Sequence, residues 1–121
     1  MRYFHFSEFR CRCGKCAADG RGMDRILTSK LDAIRARLGK PMIVTSGCRC
    51  FEWNQEVGGS ARSFHLPYNG FRAADIKCND SATRWKMIKL GIEFGLTMGV
   101  NKSFIHFDTR QIAEPLIFTY D

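Results

Sequence analysis

The stretch Ser103-Phe104-Ile105-His106-Phe107-Asp108 constrains the fold more than any other part of this sequence. Alternate residues of a strand share a face, so His106 and Asp108 point one way while Ile105 and Phe107 point the other. Such a strand needs an apolar layer under one face and leaves a polar pair on the opposite face. The covering layer is supplied upstream. Leu27, Leu31, Ile34 and Leu38 recur at helical spacing, Asp24 stands at a start position and Gly39 at a stop, which predicts a helix over 24–38. Its outer face, with Arg25, Lys30, Arg35 and Arg37, reads as solvated.

The other elements follow from shorter signals. After Pro41, Met42-Ile43-Val44-Thr45 reads as a short buried strand. Residues 51–57 read as one or two helical turns before Gly58-Gly59, and 60–71 as a loop punctuated by Pro67 and Asn69-Gly70. Ala73 to Cys78 is a further strand. Asn79, Asp80 and Ser81 offer caps to a helix with apolar positions Trp85, Ile88 and Ile92, ended by Gly95. Two strands, over 103–108 and 115–120, are joined through Arg110 to Glu114. The order predicts an α+β fold, with an antiparallel sheet packed by helices. At 121 residues and 45% hydrophobic, the chain closes one core. A single domain over 1–121 is therefore expected, with the cysteine- and glycine-rich segment 1–22 packing on it.

Nineteen basic against twelve acidic side chains give a net charge of +7, which favours a polyanion: nucleic acid, anionic lipid or an acidic cell-wall polymer. No apolar run reaches the roughly 18 residues of a membrane span. The N-terminus lacks the apolar stretch of a secretory signal, so synthesis in the cytoplasm and another route of export are expected.

Only three histidines are present, His5, His65 and His106. His65 lies in the turn-rich loop, Asp75 enters a strand, and His106 lies far along the chain. Imidazole and carboxylate both bind Zn2+, and a catalytic zinc keeps three protein ligands plus water, a set that His65, Asp75 and His106 would complete. The plain alternative is a surface strand with an ordinary His–Asp contact, and His5 reads as structural or exposed. HExxH, GxSxG and P-loop patterns are absent. Asp108, on the face of His106, is a candidate general base, and its rival role is to hold an imidazole in one tautomer. Six cysteines are many for this length. Cys11-x-Cys13-x-x-Cys16 with Cys48, Cys50 or Cys78 leaves open a structural zinc, disulfides or reduced thiols, with Cys78 reading as buried and inert.

Thr45-Ser46-Gly47-Cys48-Arg49-Cys50, Asn54, Val57-Gly58-Gly59, Ser63-Phe64-His65, Arg72-Ala73-Ala74-Asp75-Ile76 and Phe104-Ile105-His106-Phe107-Asp108, in that order, resemble the zinc D-Ala-D-Ala carboxypeptidase family of peptidoglycan peptidases. Phe6-Ser7-Glu8-Phe9 and the cysteines after it are similar to its short bacterial and bacteriophage members. The resemblance implies a metal on an antiparallel sheet, with zinc ligands at His65, Asp75 and His106. It implies that Arg49 faces the bound peptide and its developing oxyanion, and that Ser63 binds substrate. Arg110 is a second fork for the oxyanion or for a substrate carboxylate. The implied reaction is zinc-assisted amide hydrolysis in a peptidoglycan stem peptide by a monomer, as a carboxypeptidase or an endolysin-like endopeptidase. The place of action would be the periplasm or cell wall, reached by holin-type release or on a phage particle. Three departures stand out: a longer His65–Asp75 interval around Pro67-Tyr68-Asn69, Trp53 where relatives have histidine, and Ser103 where many have an acidic base. Two alternatives remain: a non-catalytic metal-binding protein with the peptidase fold, and a basic zinc-containing nucleic-acid-binding module. Dispersed basic residues and the lack of a finger or recognition helix speak against the second.

Overall fold

Leu27, Leu31 and Ile34 are fully buried along helix α1 (Arg25–Leu38) in the computed structural model, which describes residues 1–120. Asp24 caps α1 by accepting from the Leu27 N–H, and Gly39 closes it in the left-handed conformation. Beyond α1, the described residues form β1 (Val44–Ser46), α2 (Phe51–Glu56), β2 (Ala73–Lys77), α3 (Ser81–Glu93), β3 (Thr97–Val100), β4 (Phe104–Asp108) and β5 (Ile117–Thr119). Short 3-10 turns lie at Phe6–Phe9 and Pro67–Asn69.

The five strands make one sheet in the order β1-β2-β4-β3-β5. Ala74, Ile76, Met98, Ile105 and Phe107 project from it into a core shared with α1 and α3. Phe4, Phe9 and Cys11 are buried in the same core, so the N-terminal segment packs on the sheet-and-helix unit.

Four expectations need correction. The sheet is mixed: β1, β2, β4 and β3 pair antiparallel, but β5 runs parallel to β3. The connection over 109–116 carries the chain past β3 to its free edge, so β5 arrives in the direction of β3. Strand β3 itself stands between Gly95 and β4, where no element was expected. Helix α3 is turned from its expected orientation: Trp85 and Ile92 are exposed, while Met87, Leu90 and Gly91 are buried. The first strand is also shifted to Val44–Ser46, and it alternates rather than being buried throughout, since Ile43 and Thr45 are exposed.

Candidate metal centre

The sheet register places the key groups in one row. Ser46 pairs with Asp75, Asp75 with His106, His106 with Gly99, and Gly99 with Phe118. Directly opposed residues share a face, so Asp75 and His106 stand side by side on the face away from the helices. His65 reaches the same point from the loop after α2. That loop is clamped to the chain leaving β1, where the Arg49 N–H donates to the His65 carbonyl at 2.9 Å.

One donor atom from each of His65, Asp75 and His106 lies within 4.8 Å of the others, and all three residues are buried. The geometry selects the atoms. His65 turns Nε2 to Asp75 Oδ1 (3.2 Å), while its Nδ1 meets the Gly47 carbonyl at 2.7 Å. His106 turns Nδ1 to Asp75 Oδ1 (2.9 Å), while its Nε2 meets Asp108 Oδ2 at 2.7 Å. With a metal bound, each outer ring nitrogen would donate to its fixed acceptor, leaving the inner one a lone pair for the ion. Two such imidazoles and one carboxylate oxygen fit a Zn2+ ion, with room for a fourth ligand from the cavity side.

Asp75 divides its oxygens, with Oδ2 accepting from Arg49 Nη2 at 3.3 Å. Burial alone would raise its pKa, but hydrogen bonds from His106 and His65 hold the carboxyl well below the usual range. Burial pushes His65 down. His106 goes up, because the hydrogen bonds to Asp108 and Asp75 outweigh its burial. Asp108 is completely buried, and besides His106 it takes the Arg110 fork at 2.9 Å (Nε to Oδ1) and 2.7 Å (Nη2 to Oδ2). It sits behind His106 and does not line the cavity.

That cavity has a volume of about 730 Å3 and opens over the three donors. Arg49, Arg62, Ser63 and Arg110 line it, and Asp75 is the only carboxylate in its lining among the described residues. Arg49 is held by Ser46 Oγ (2.9 Å) and by Asn54 Oδ1 (3.2 Å). Ser63 Oγ accepts the His65 N–H at 3.1 Å. The hydroxyl of Ser103 bonds to Asn101 Oδ1 instead and stays outside the cavity. The Pro67–Asn69 turn is at the rim, where Asn69 Nδ2 donates to the Arg62 and Ser63 carbonyls. His5 is exposed and is not one of the donor set.

Sequence reasoning named Asn54 only within the resemblance, with no role, and did not pick out Phe118 or Tyr120. Asn54 is buried and ties Arg49 to the 58–60 loop through Nδ2 to the Ser60 carbonyl (2.9 Å) and the Gly59 N–H to its own carbonyl (2.8 Å). Phe118 and Tyr120 alternate along the last strand and close one wall, with the Phe118 ring centroid 5.7 Å from that of His106. That alternation was the available signal. Burial, with Asp75 next, pushes the Tyr120 hydroxyl up to about 12, so it stays protonated.

Of the cysteines, Cys11, Cys13, Cys16 and Cys50 cluster, while Cys48 is buried outside that group with its thiol pushed up to about 12 by burial. All six thiols are unpaired. A comparison with protein families matches residues 2–108 to the Peptidase M15 model. No curated protein matches the chain.

Proposed function

The chain belongs to the M15 peptidase family, a family of zinc-dependent metallopeptidases, and from that premise we propose that it hydrolyses amide bonds in peptidoglycan stem peptides. Release of a C-terminal D-alanine is the leading form and endopeptidase cleavage the other. The observation that carries this reading is the convergence of His65 Nε2, Asp75 Oδ1 and His106 Nδ1 beneath an open basic cavity.

A zinc ion held by these three atoms supplies a polarising charge for the scissile carbonyl and lowers the pKa of water from 15.7 to about 7. The protein's own groups supply the rest. Gly47 and Asp108 fix the two rings in the tautomers that present the inner nitrogens. Arg49 Nη2 orients Asp75 through its Oδ2, and the Arg49 edge that lines the cavity is the group we read as receiving a developing oxyanion. Arg62 has no ion-pair partner among the described residues and suits a substrate carboxylate, whereas Arg110 is already neutralised by Asp108. A second cavity of about 500 Å3 lies beyond Phe64 and Arg110, lined by Pro67, Tyr68 and Asn69. It offers space for the rest of a stem peptide, so the longer rim loop bears on substrate choice.

Asp108 serves here to position His106, because it is buried and its oxygens are taken. Among the described residues the cavity then holds no free carboxylate to act as a base, and Ser103 does not replace one. This favours a second reading in which the protein binds cell wall without cutting it. Mass spectrometry of muropeptides incubated with the protein, with and without chelator, separates the two. Chelator-sensitive loss of terminal alanine or of a cross-link supports hydrolysis, and identical profiles in both arms leave binding alone. Asp75→Ala is expected to abolish both hydrolysis and metal at this centre, since it removes a ligand and the ion-pair partner of Arg49.

A further inference from the structure

A second cluster of donors lies where the N-terminal segment meets α2. Cys11, Cys13 and Cys16 come from that segment and Cys50 is the residue capping α2, and their four sulfurs all lie within 4.8 Å of one another. Around a tetrahedral ion with Zn–S bonds of about 2.3 Å, thiolates stand roughly 3.8 Å apart. Four sulfurs within 4.8 Å of one another are close enough to be shared by one such ion, as a closed S4 site requires.

The backbone is arranged around thiolates. Cys13 Sγ accepts the N–H groups of Lys15 and Cys16, both at 3.3 Å. Cys50 Sγ accepts the Trp53 N–H at 3.4 Å, and Cys11 Sγ accepts the Cys50 N–H at 3.4 Å. Gly14, at φ +72°, makes the left-handed turn that aims the two amides back at Cys13. Donors of this kind favour sulfur in its anionic form and fix its direction. One divalent ion and four thiolates leave two negative charges, and Arg10, Arg12 and Lys15 of the same segment offset them.

We infer that Cys11, Cys13, Cys16 and Cys50 form a second zinc site, structural and closed, separate from the centre at His65, Asp75 and His106. With four protein ligands it has no vacant position, so its work is mechanical. It staples the entry segment to the start of α2. From there Cys50 is bonded to Arg49, and α2 contributes Asn54, which holds both Arg49 and the 58–60 wall. Cys48 supports the same junction through its N–H to the Phe9 carbonyl at 2.9 Å, without being a ligand.

The test is metal content and the spectrum of the Co2+-loaded full chain. About two zinc ions per chain are expected, falling to about one in Asp75→Ala and to about one in Cys16→Ser, whose side chain is exposed. With Co2+, the wild type and Asp75→Ala are expected to show intense thiolate-to-metal charge transfer in the near ultraviolet. Cys16→Ser is expected to lose most of that band and to bind the ion at least about tenfold more weakly. Absence of the band from the Co2+-loaded wild type would overturn the proposal. So would a disulfide between any two of these four cysteines in non-reducing mass spectrometry, or iron in place of zinc in the purified protein. None of these readouts depends on peptidase activity, so failure here and failure of the peptidase reading are distinguishable.

Discussion

Asp108 shows how a residue at this centre acts through another. Its carboxylate meets His106 Nε2 at 2.7 Å and is held from the far side by Arg110. Asp108→Ala is expected to free the ring and lower metal affinity of this centre by about 10- to 100-fold. Asp108→Asn keeps an acceptor oxygen for the ring and is expected to restore most of that affinity. Equal metal binding in wild type and Asp108→Ala, with turnover alone reduced, would return the general-base role to this residue. Asp32 is a separate case. Its side chain accepts the N–H groups of Arg2 (2.9 Å), Tyr3 (2.8 Å) and Phe4 (3.0 Å), so it anchors the N-terminus on α1. Burial is the largest single influence and opposes ionisation, but these three donors together outweigh it and lower the pKa. A depressed carboxyl stabilises the folded state above its unfolded value of about 3.9 and loses that contribution as pH falls through the lower folded value. Asp32→Asn is therefore expected to cost about 1 kcal/mol at pH 7, after discounting for solvent screening, and less at pH 2. Urea midpoints of both proteins at the two pH values measure it, and a gap that does not narrow in acid would contradict the assignment.

At the scale of elements, α3 is the instructive case. Trp85, Ile88 and Ile92 form one apolar stripe at helical spacing, and Met87, Leu90 and Gly91 form another. Periodicity alone does not choose between them. Gly91 does, because a Cβ there would stand 2.3 Å from Met98 Sδ and 3.1 Å from the Phe107 ring. The bare backbone lets the helix settle closely on β3 and β4, which turns Trp85 outward to 64% exposure. Met87→Ala is expected to cost about 2–4 kcal/mol through lost burial and a residual cavity, whereas Trp85→Ala is expected to cost less than about 1 kcal/mol. Denaturant unfolding of the two variants decides which stripe is inward. By contrast α1 was legible to the residue, since Asp24, Gly39 and an unrivalled apolar stripe all agree. Strand β3 was not, because Thr97-Met98-Gly99-Val100 is short and contains a glycine, both weak signals for a strand.

For the whole molecule, β5 completes the cavity although the family match ends at Asp108. Gly99 makes this closure work: a Cβ on it would lie 2.5 Å from the Phe118 ring and 2.9 Å from that of Tyr120. Gly99→Ala is expected to displace the ends of these rings, narrowing the space beside His106. The expected result is a modest loss of stability, no loss of metal, and a change in KM for muropeptides larger than the change in kcat. Metal loss in this variant would mean that the displaced rings disturb His106 itself. The resemblance to a peptidase family implied the three inward donors; taken by itself, the sequence determined the α+β class, helix α1 and the two antiparallel strands β2 and β4. Those features rest on local periodicity, capping and residue chemistry, which short stretches of chain carry completely. Tertiary structure alone decided which ring nitrogens face inward, that Asp108 stands behind His106 with Arg110, that four of the six sulfurs converge while Cys48 and Cys78 do not, and that β5 runs parallel to β3. Each of these depends on how distant segments approach one another, and a chain's spacing does not encode that approach until the core has closed around it.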